Sequence, residues 1–538
     1  MHVCLLPPEI LLHIFSICKD CQSIRPRVTL ASLARTCRTF KEPALDILWE
    51  NIDGFKPLIS CLPGGVAVII NTDMGINWTL KRPLLNKEWR IVYQYTQRIH
   101  FFRVCPHDLA IVDDRVIQAL MSAPSPLLPN LRILNWHDDG ERFFPLLRTL
   151  LGSTITSVTL MFDSPPPSFA KSALLTFLGA RCPSIRALDC AYSGDSEESS
   201  DAIFEALCGL QELRRLNTVI PNTQALLCLA TLPSLKYLQF SLATYNINET
   251  RLNSTPTFSF RLDQVFINTP SPSVSSHCLR NVCFLSCRSA KIFVDYSNLA
   301  PGVYTDTIAP YDPLDIPDFI VSFSKCFSPT LEKLEVELGY SFTTPFASEY
   351  VVYDPSFVLG FDVVAPLLSF SRLTNLQLDW MCTSAIDDSS LKIMAQSWPQ
   401  LEYLQFGCEA RWMIPPSATF IGLVHLVHHC PRLCRIGMPF SACPVDINGE
   451  PFSNTIPNEE ITKIDVANSP IVDPITVACQ LHMLLPKLTS VDFDWDDTNF
   501  WSPLARGEWT RVNDFLQVLT TSVKMKEIMS QNHRSSSA

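Results

Sequence analysis

The chain has 538 residues and a formal net charge of −11, so it is too long for one ordinary core and too acidic to favour nucleic acid as a partner. No window reaches the run of about 18 apolar residues that a membrane-spanning helix needs, which predicts no membrane segment. Glycine is scarce, at 17 residues, and neither GxGxxG nor GxxxxGK[ST] occurs, so nucleotide binding is disfavoured.

Three short amphipathic helices are predicted within residues 1–52. Pro7, Pro8 and Glu9 interrupt the first apolar run, which argues against a secretory signal. The apolar positions of the predicted helices are Ile10, Leu11, Ile14, Phe15 and Cys18, then Leu30, Leu33, Ala34, Cys37 and Phe40, then Leu45, Leu48, Trp49 and Ile52. So small a core should need a partner or the following domain for stability. Residues 53–95 are interpreted as a connecting segment.

A repeat runs through most of the remaining chain. Strings of the form apolar-x-x-apolar-x-apolar recur, often after a proline, as in PSLKYLQF at 233 and PQLEYLQF at 399. Five successive copies start at intervals of 28, 32, 28 and 27 residues. Their first apolar positions are Leu373, Leu401, Leu433, Ile461 and Leu488. The alternation predicts a short half-buried strand in each copy.

Helical segments lie between several of these strands. DDSSLKIMAQSWP (387–399), SATFIGLVHLVHHCP (417–431) and DPITVACQLHMLLP (473–486) each open with Ser or Asp and stop before a proline. A strand–loop–helix unit cannot bury its own apolar face, so neighbouring units must stack.

The repeat resembles the leucine-rich-repeat family over residues 96–525. The resemblance implies an α/β fold, in which the three-helix module precedes a solenoid with parallel strands on its concave face and helices on its convex face. Loop insertions are expected near 241–258, 295–318 and 339–366, and a disordered tail over 526–538.

Three motifs in order at the amino terminus carry a second resemblance. LPPEILLHIF is followed by LASLARTCRTF and by a helix ending in LW, an order similar to that of the F-box family, here in a fungal-type form with carboxyl-terminal repeats. The resemblance implies docking on the Skp-type adaptor of a cullin-RING ubiquitin ligase. Carried over by motif, the adaptor-binding residues would be Leu6, Pro7, Ile10, Leu11, Ile14, Leu33, Cys37, Phe40, Leu48 and Trp49. The loop KDCQSIRPR is longer than the usual family loop, so no contact is carried over for it.

The family resemblance implies a non-enzymatic substrate receptor of an SCF-type ligase, with a protein substrate on the repeats and no cofactor. An alternative is an interaction scaffold whose amino-terminal helices only cap the solenoid, which would bury Leu6, Pro7 and Trp49 inside the chain. An enzyme hidden in the insertions would instead need a pocket with convergent titratable residues.

The substrate surface is expected between the apolar strand positions. The central position of the strands reads Asn135, Thr159, Asp189, Asn217, Gln239, Glu335, Gln377, Gln405, Gly437, Asp465 and Asp492, with no base. An acidic, partly aromatic platform for a basic substrate segment is one hypothesis, and solvated strand charge is the other. The platform would comprise Asp379, Trp380, Gln405, Asp465, Asp492, Asp494 and Trp495. The opposite edge carries five basic residues, Arg132, Arg186, Arg214, Arg215 and Lys236. One hypothesis is that they bind an acidic or phosphorylated segment, and the other is that they are ordinary surface charge.

Metal-binding and catalytic motifs are incomplete. CKDC at 18–21 has one half of a zinc spacing and no second pair, and His425 and His429 lack the Glu of HExxH. Cys182 and Cys430 precede repeat prolines and should fill the core. We predict no metal site and no catalytic centre. The 20 cysteines form no dense framework, which favours reduced thiols and a cytoplasmic or nuclear location.

Overall fold

The computed structural model divides the chain into two compact units. The described residues are 6–20, 26–72, 75–162, 168–192, 194–220, 223–242, 255–295, 312–339, 355–379, 381–408, 414–493 and 503–536. The first unit comprises Met1–Val219 and Thr231–Leu235, and the second comprises Ile220–Ala230 and Lys236–Ala538. Both units alternate helices with the strands of a parallel sheet.

The first unit begins with three consecutive helices. Its helices are α1 (Pro8–Asp20), α2 (Pro26–Thr36), α3 (Arg38–Glu50), α4 (Lys56–Ser60), α5 (Asn86–Thr96), α6 (Pro106–Ala110), α7 (Asp114–Met121), α8 (Phe144–Leu150), α9 (Phe169–Arg181) and α10 (Glu197–Cys208). Its strands are β1 (Asn51–Asp53), β2 (Ala67–Thr72), β3 (Gly75–Leu80), β4 (Phe101–Val104), β5 (Ile133–Trp136), β6 (Ser157–Leu160), β7 (Ala187–Asp189) and β8 (Arg215–Ile220).

The amino-terminal helices pack around a small apolar core, as the sequence predicts. α1 begins at Pro8, whose missing N–H removes no hydrogen bond in the first turn of a helix. Leu11 and Phe15 of α1 face inward and pack in one cluster with Leu30 of α2 and Phe40 of α3. The rings of Phe15 and Phe40 meet edge to face, with centroids 5.5 Å apart.

The parallel sheet begins earlier than the sequence indicates. β1 follows α3 without a loop and pairs in parallel with β4, which places Ile52 beside Phe102. The sheet therefore begins at Asn51, before the predicted start of the repeats at residue 96. Residues 53–95 contain α4, α5 and an antiparallel hairpin of β2 and β3. The sequence did not predict β1, because three residues are too few to show an alternation of apolar and polar side chains.

Helix α3 is fastened to the region around α5 by an aromatic and a charged contact. The rings of Trp49 and Tyr95 have centroids 4.5 Å apart. Arg98, whose side chain is 14% exposed, pairs with both Glu42 and Asp46 of α3. The third helix is therefore packed against the rest of the first unit through one face.

An apolar row holds the sheet of the first unit together. In the part of this unit that the structure describes, six strands pair in the order β1, β4, β5, β6, β7, β8, all in parallel. The register aligns buried residues from strand to strand: Ile52, Phe102, Leu134, Val158, Leu188 and Leu216. Each such side chain contributes about 1.5–3 kcal/mol by leaving water.

The second unit repeats this plan. Its helices are α11 (Thr223–Leu229), α12 (Pro272–Leu279), α13 (Asp315–Cys326), α14 (Phe361–Val364), α15 (Asp388–Ser397), α16 (Phe420–His429), α17 (Pro474–Leu484) and α18 (Pro503–Ser536). Its strands are β9 (Tyr237–Leu242), β10 (Thr257–Phe258), β11 (Leu262–Thr269), β12 (Cys283–Phe284), β13 (Cys287–Asp295), β14 (Lys333–Gly339), β15 (Asn375–Asp379), β16 (Tyr403–Phe406), β17 (Arg435–Gly437), β18 (Lys463–Asp465) and β19 (Ser490–Asp492).

Among the described residues of the second unit, nine strands pair in parallel, in the order β9, β11, β13 and then β14 to β19. They align a second buried row: Leu238, Val265, Ala290, Leu334, Leu376, Leu404, Ile436, Ile464 and Val491. The predicted fold class, an α/β chain with amino-terminal helices and parallel-strand repeats of the leucine-rich type, is confirmed.

Helix starts in the repeats follow the predicted capping pattern, with one shift. The side chains of Asp387 and Asp473 accept the N–H groups of Ser390 and Thr476 at the starts of α15 and α17. At α16 the cap is Thr419 rather than the predicted Ser417, because Thr419 accepts from the N–H of Ile421.

The predicted insertions are only partly described. Residues 243–254, 296–311 and 340–354 lie outside the described residues. The described remainder includes the start of α13 and all of α14, so two of the predicted insertions contain helical residues.

Helix α18 covers the last strand of the second unit. The side-chain amide of Asn513 donates to the carbonyl of Val491 at 3.0 Å and accepts from its N–H at 2.8 Å, so it replaces a neighbouring strand. Trp509 is 1% exposed and donates from Nε1 to the Ser469 carbonyl at 2.8 Å. An uncovered edge strand would invite pairing with another chain.

The same helix corrects the predicted tail. α18 continues to Ser536, so residues 526–536 are helical where the sequence predicted disorder. This stretch contains no Pro or Gly to end a helix. Residues 537–538 lie outside the described residues.

Glu88 holds the start of α5 through a buried carboxylate. Its side chain is 1% exposed and accepts from the Arg82 guanidinium at 2.6 and 2.9 Å and from the Leu85 N–H at 2.7 Å. The bonds from Arg82, and then that from Leu85, lower the pKa of Glu88 to about 2. Because the folded pKa lies below the unfolded value of about 4.3, the stabilisation is full above pH 4.3 and is lost as the pH falls toward 2.

Replacing Glu88 with Gln should therefore lower the Tm at neutral pH, because the charged hydrogen bonds are lost. The difference in Tm between Glu88→Gln and the wild type should shrink as the pH falls below about 4. Thermal unfolding followed by circular dichroism over a pH series measures this. A difference that stays constant down to the lowest pH would contradict the assigned role.

Candidate functional site

Helix α1 has two apolar faces. Leu11 and Phe15, four residues apart, are 0% and 3% exposed and form the core face. Ile10, Ile14 and Ile17 lie at spacings of four and three, which puts them on one stripe about 100° around the helix from Leu11 and Phe15.

The isoleucine stripe, Ile10, Ile14 and Ile17, faces away from the core. These side chains are 46%, 37% and 54% exposed. The sequence interpretation placed Ile10 and Ile14 in both the helix core and the adaptor-binding set, and the structure removes them from the core. Ile17 was missed, although its spacing of seven from Ile10 was the available signal.

The other predicted adaptor residues divide by burial. Leu11, Phe40 and Trp49 are 0%, 7% and 8% exposed, so in this structure they hold helices together and present little surface to a partner. Pro7 is exposed. Four residues are partly buried against the helix core: Leu6, Leu33, Cys37 and Leu48.

The predicted central column of the strands is a continuous row in the second unit. Strand pairing aligns its members side by side: Glu335, Gln377, Gln405, Gly437, Asp465 and Asp492. The expectation that this column has no base is wrong, because Lys291 of β13 stands beside Glu335. Its Nζ lies 3.3 Å from Glu335 and 2.6 Å from Glu337, so the acidic charge there is partly neutralised.

Part of this row is covered by the chain itself. Gln405 and Asp465 are 5% and 4% exposed. Gln405 accepts from the Tyr403 hydroxyl at 2.7 Å, and Asp465 accepts from the Ala467 N–H at 2.9 Å. These two residues, predicted to bind substrate, therefore hold local structure.

Glycine permits the covering turn. Gly407 has φ +76°, a conformation that side chains rarely adopt, and it leads into the buried Cys408. A Cβ on Gly437 would lie 2.9 Å from the Cys408 sulfur, so a larger residue at this position would force Cys408 to shift.

The five remaining predicted substrate residues have different outcomes. Trp380, Asp494 and Trp495 lie outside the described residues, and of Asp379 only the strand position beside Glu337 is described. Asp492 is half-buried and lines an open groove with Arg435 and Lys463. Of the predicted platform, Asp492 alone is an accessible acid among the described side chains.

The predicted basic edge is exposed. Its members Arg132, Arg186, Arg214, Arg215 and Lys236 are all exposed. Arg186 pairs with Glu212 at 3.0 Å. An exposed pair of this kind contributes little to stability.

Burial shifts the pKa values of the cysteines and histidines that the sequence singles out. Cys182 and Cys430 are fully buried, as predicted, and burial raises their pKa values to about 11 and about 12, which disfavours a thiolate nucleophile. The rings of His425 and His429 lie parallel with centroids 6.2 Å apart, and burial lowers the pKa of each.

The two cysteines of the CKDC motif are Cys18 and Cys21. The side chain of Cys18 is not described, and Cys21 lies outside the described residues.

One group in the described part of the chain brings three potential metal ligands within 4.8 Å of one another: Cys105, His107 and Asp108. Asp108 already accepts from the Cys105 N–H at 2.9 Å, a capping bond at the start of α6. A helix cap accounts for this geometry. Across the described residues, no helix combines the length and apolar composition needed to cross a membrane.

Comparisons with known proteins bear on the amino-terminal helices and on the repeats. Comparison with curated proteins gives no match. Among solved structures, the chain is similar to the crystal structure of an internalin from Listeria monocytogenes, with 13% identity, 65% of this chain and 83% of that chain covered, and a TM-score of 0.30. Residues 3–54 match the F-box-like family, without a distinction of fungal type. The chain therefore carries an F-box-like domain at residues 3–54, followed by parallel-strand repeats.

Proposed function

We propose that this chain is a non-enzymatic substrate receptor of a cullin-RING ubiquitin ligase. Its F-box-like domain would hold a Skp-type adaptor, and its exposed strand residues would hold a target protein, in the cytoplasm or the nucleus. Ubiquitin transfer would then be promoted by proximity, because the target is kept near the conjugating enzyme of the ligase. The receptor itself contributes binding surfaces and no reacting group.

The isoleucine stripe is the observation that supports this proposal most strongly. Ile10, Ile14 and Ile17 lie on a helix whose other apolar face already fills the core. Covering such a stripe with a partner stabilises the complex by about 25 cal/mol for each Å² of apolar surface removed from water. A helix laid against an apolar partner surface is a common mode of recognition, and it is read from anchors at this spacing.

The way in which the F-box-like domain is connected to the following strands suits a substrate receptor. Helix α3 runs directly into β1, and Arg98 pairs with Glu42 and Asp46 of that helix. The F-box-like domain is thereby joined to the first repeats without a flexible linker. An adaptor held on α1 would therefore keep a defined position relative to these repeats.

An interaction scaffold with a helical cap is the second candidate, and Trp49 favours it. The scaffold hypothesis predicts that Leu6, Pro7 and Trp49 are buried inside the chain. Trp49 is buried against Tyr95, but Leu6 is half-buried and Pro7 is exposed. Only the third helix acts as a cap, and α1 retains an exposed apolar face.

Co-elution of the full chain with a purified Skp-type adaptor in size-exclusion chromatography tests the proposal. We expect a complex with the wild type and none with Ile10→Asp plus Ile14→Asp, because two charges would be buried without partners. The matched control is Ile69→Asp plus Ile70→Asp on β2, where both isoleucines are also exposed, at 56% and 45%. Absence of a wild-type complex, or equal behaviour of the two double variants, would leave the scaffold as the better account.

A further inference from the structure

The strand face of the second unit is open at the amino-terminal ends of β16, β17 and β18. The register places Tyr403 beside Arg435, and Arg435 stands beside Lys463 because Ile436 pairs with Ile464. Arg435 and Lys463 are exposed and Tyr403 is half-buried. The guanidinium carbon of Arg435 lies 5.7 Å from the centre of the Tyr403 ring, which orients the cation without neutralising it.

A groove runs from this row to the last strand of the sheet. Its volume is about 720 Å³, and its lining includes Cys434, Arg435, Thr462, Lys463, Asp492 and Phe493. Its lining comes from three neighbouring strands, β17 to β19, and a spacing of about 4.8 Å makes the floor about 10 Å long, which matches about three residues of an extended peptide. The groove therefore has the length of a short linear segment.

The charges of the groove favour an anion. Asp492 is its one carboxylate among the described lining residues, against the cations Arg435 and Lys463. Within the described part of the chain, no carboxylate lies within 4.0 Å of either cation. By contrast, Lys291 on the same face pairs with two glutamates, and Lys487 pairs with Glu459 at 3.3 Å.

We propose that this groove binds an acidic segment of a partner protein, rich in Asp and Glu. Arg435 and Lys463 would each pair with a carboxylate, and Tyr403 and Phe493 would pack against the stems of the bound side chains. The inference rests on the proposed function, since the partner would be the target of the ligase. The proposed partner segment is acidic, whereas the sequence led us to expect a basic one. The difference arises because Gln405 and Asp465 are covered while Arg435 and Lys463 remain accessible.

Fluorescence anisotropy of a labelled twelve-residue peptide of alternating Asp and Glu, titrated with the full chain, tests the inference. The chain carries a net charge of −11, which opposes non-specific binding of such a peptide. We expect saturable binding that weakens at least about tenfold in Arg435→Glu plus Lys463→Glu and that declines with added salt. The matched control, Lys325→Glu plus Lys392→Glu, reverses two exposed lysines on α13 and α15 and should bind like the wild type.

Each outcome is decisive for one proposal. Wild-type protein that fails to bind the acidic peptide, or equal weakening in both double variants, overturns the assignment of the groove. Unchanged thermal unfolding of the variants establishes that a lost signal reflects binding. The peptide assay contains no adaptor, so the two proposals fail separately. If the chain binds the peptide but not the adaptor, the receptor proposal alone is overturned. If it binds the adaptor but not the peptide, the assignment of the groove alone is overturned.

Discussion

Replacing Trp509 with Ala is expected to lower the free energy of unfolding by about 3–5 kcal/mol. The indole is 1% exposed, packs near the Phe440 ring and donates from Nε1 to the Ser469 carbonyl. Its removal leaves a large cavity and an unpaired buried acceptor. It also loosens α18, whose Asn513 completes the hydrogen bonding of the last strand.

Urea denaturation followed by circular dichroism measures the loss. Val518→Ala on the same helix is the matched control, because Val518 is 66% exposed and its truncation should change stability by less than about 0.5 kcal/mol. We also expect Trp509→Ala to self-associate, since a loosened helix exposes the edge of β19. If Trp509→Ala were as stable as Val518→Ala, α18 would not be the cap that the structure indicates.

Replacing Trp49 with Ala should destabilise the first unit by a similar amount, about 3–5 kcal/mol. Trp49 is 8% exposed and its ring lies against Tyr95, so it joins the F-box-like domain to α5. Loss of the indole removes the aromatic half of this junction, while the pairs of Arg98 with Glu42 and Asp46 remain. We expect Trp49→Phe to recover part of the stability, because it keeps a ring beside Tyr95.

Urea denaturation of Trp49→Ala beside Ile17→Ala separates a core role from a surface role. Ile17 is 54% exposed, so its truncation should cost less than about 0.5 kcal/mol. The opposite pattern, with wild-type stability and lost adaptor binding in Trp49→Ala, would make Trp49 the surface anchor that the sequence suggested.

The repeat positions were predictable because the side-chain period of a strand is short and strict. Leu376, Leu404 and Ile464 each stand at the second apolar position of a copy, and all are buried in one register. Helix starts were predictable for a local reason, since Asp387 and Asp473 bind backbone N–H groups only a few residues away.

The candidate surfaces were less predictable because their exposure depends on contacts distant in sequence. On α1, apolar residues occupy two faces, and helical spacing alone does not say whether Leu11 or Ile10 faces the core. On the strands, Asp465 is buried where the chain after β16 brings the Cys408 sulfur to 4.0 Å from its carbonyl oxygen, a contact that no strand pattern encodes. Arg435 and Lys463 remain exposed at the amino-terminal ends of β17 and β18, which the strand pattern does not encode either.

Hydrogen–deuterium exchange of the full chain, alone and saturated with a Skp-type adaptor, tests most directly whether α1 is the docking surface. We expect the adaptor to slow exchange in α1 and the adjoining part of α2, because covering the isoleucine stripe suppresses local opening of these helices. Exchange in β16 to β19 should not change. Unaltered exchange in α1, or protection confined to the strands, would contradict the account.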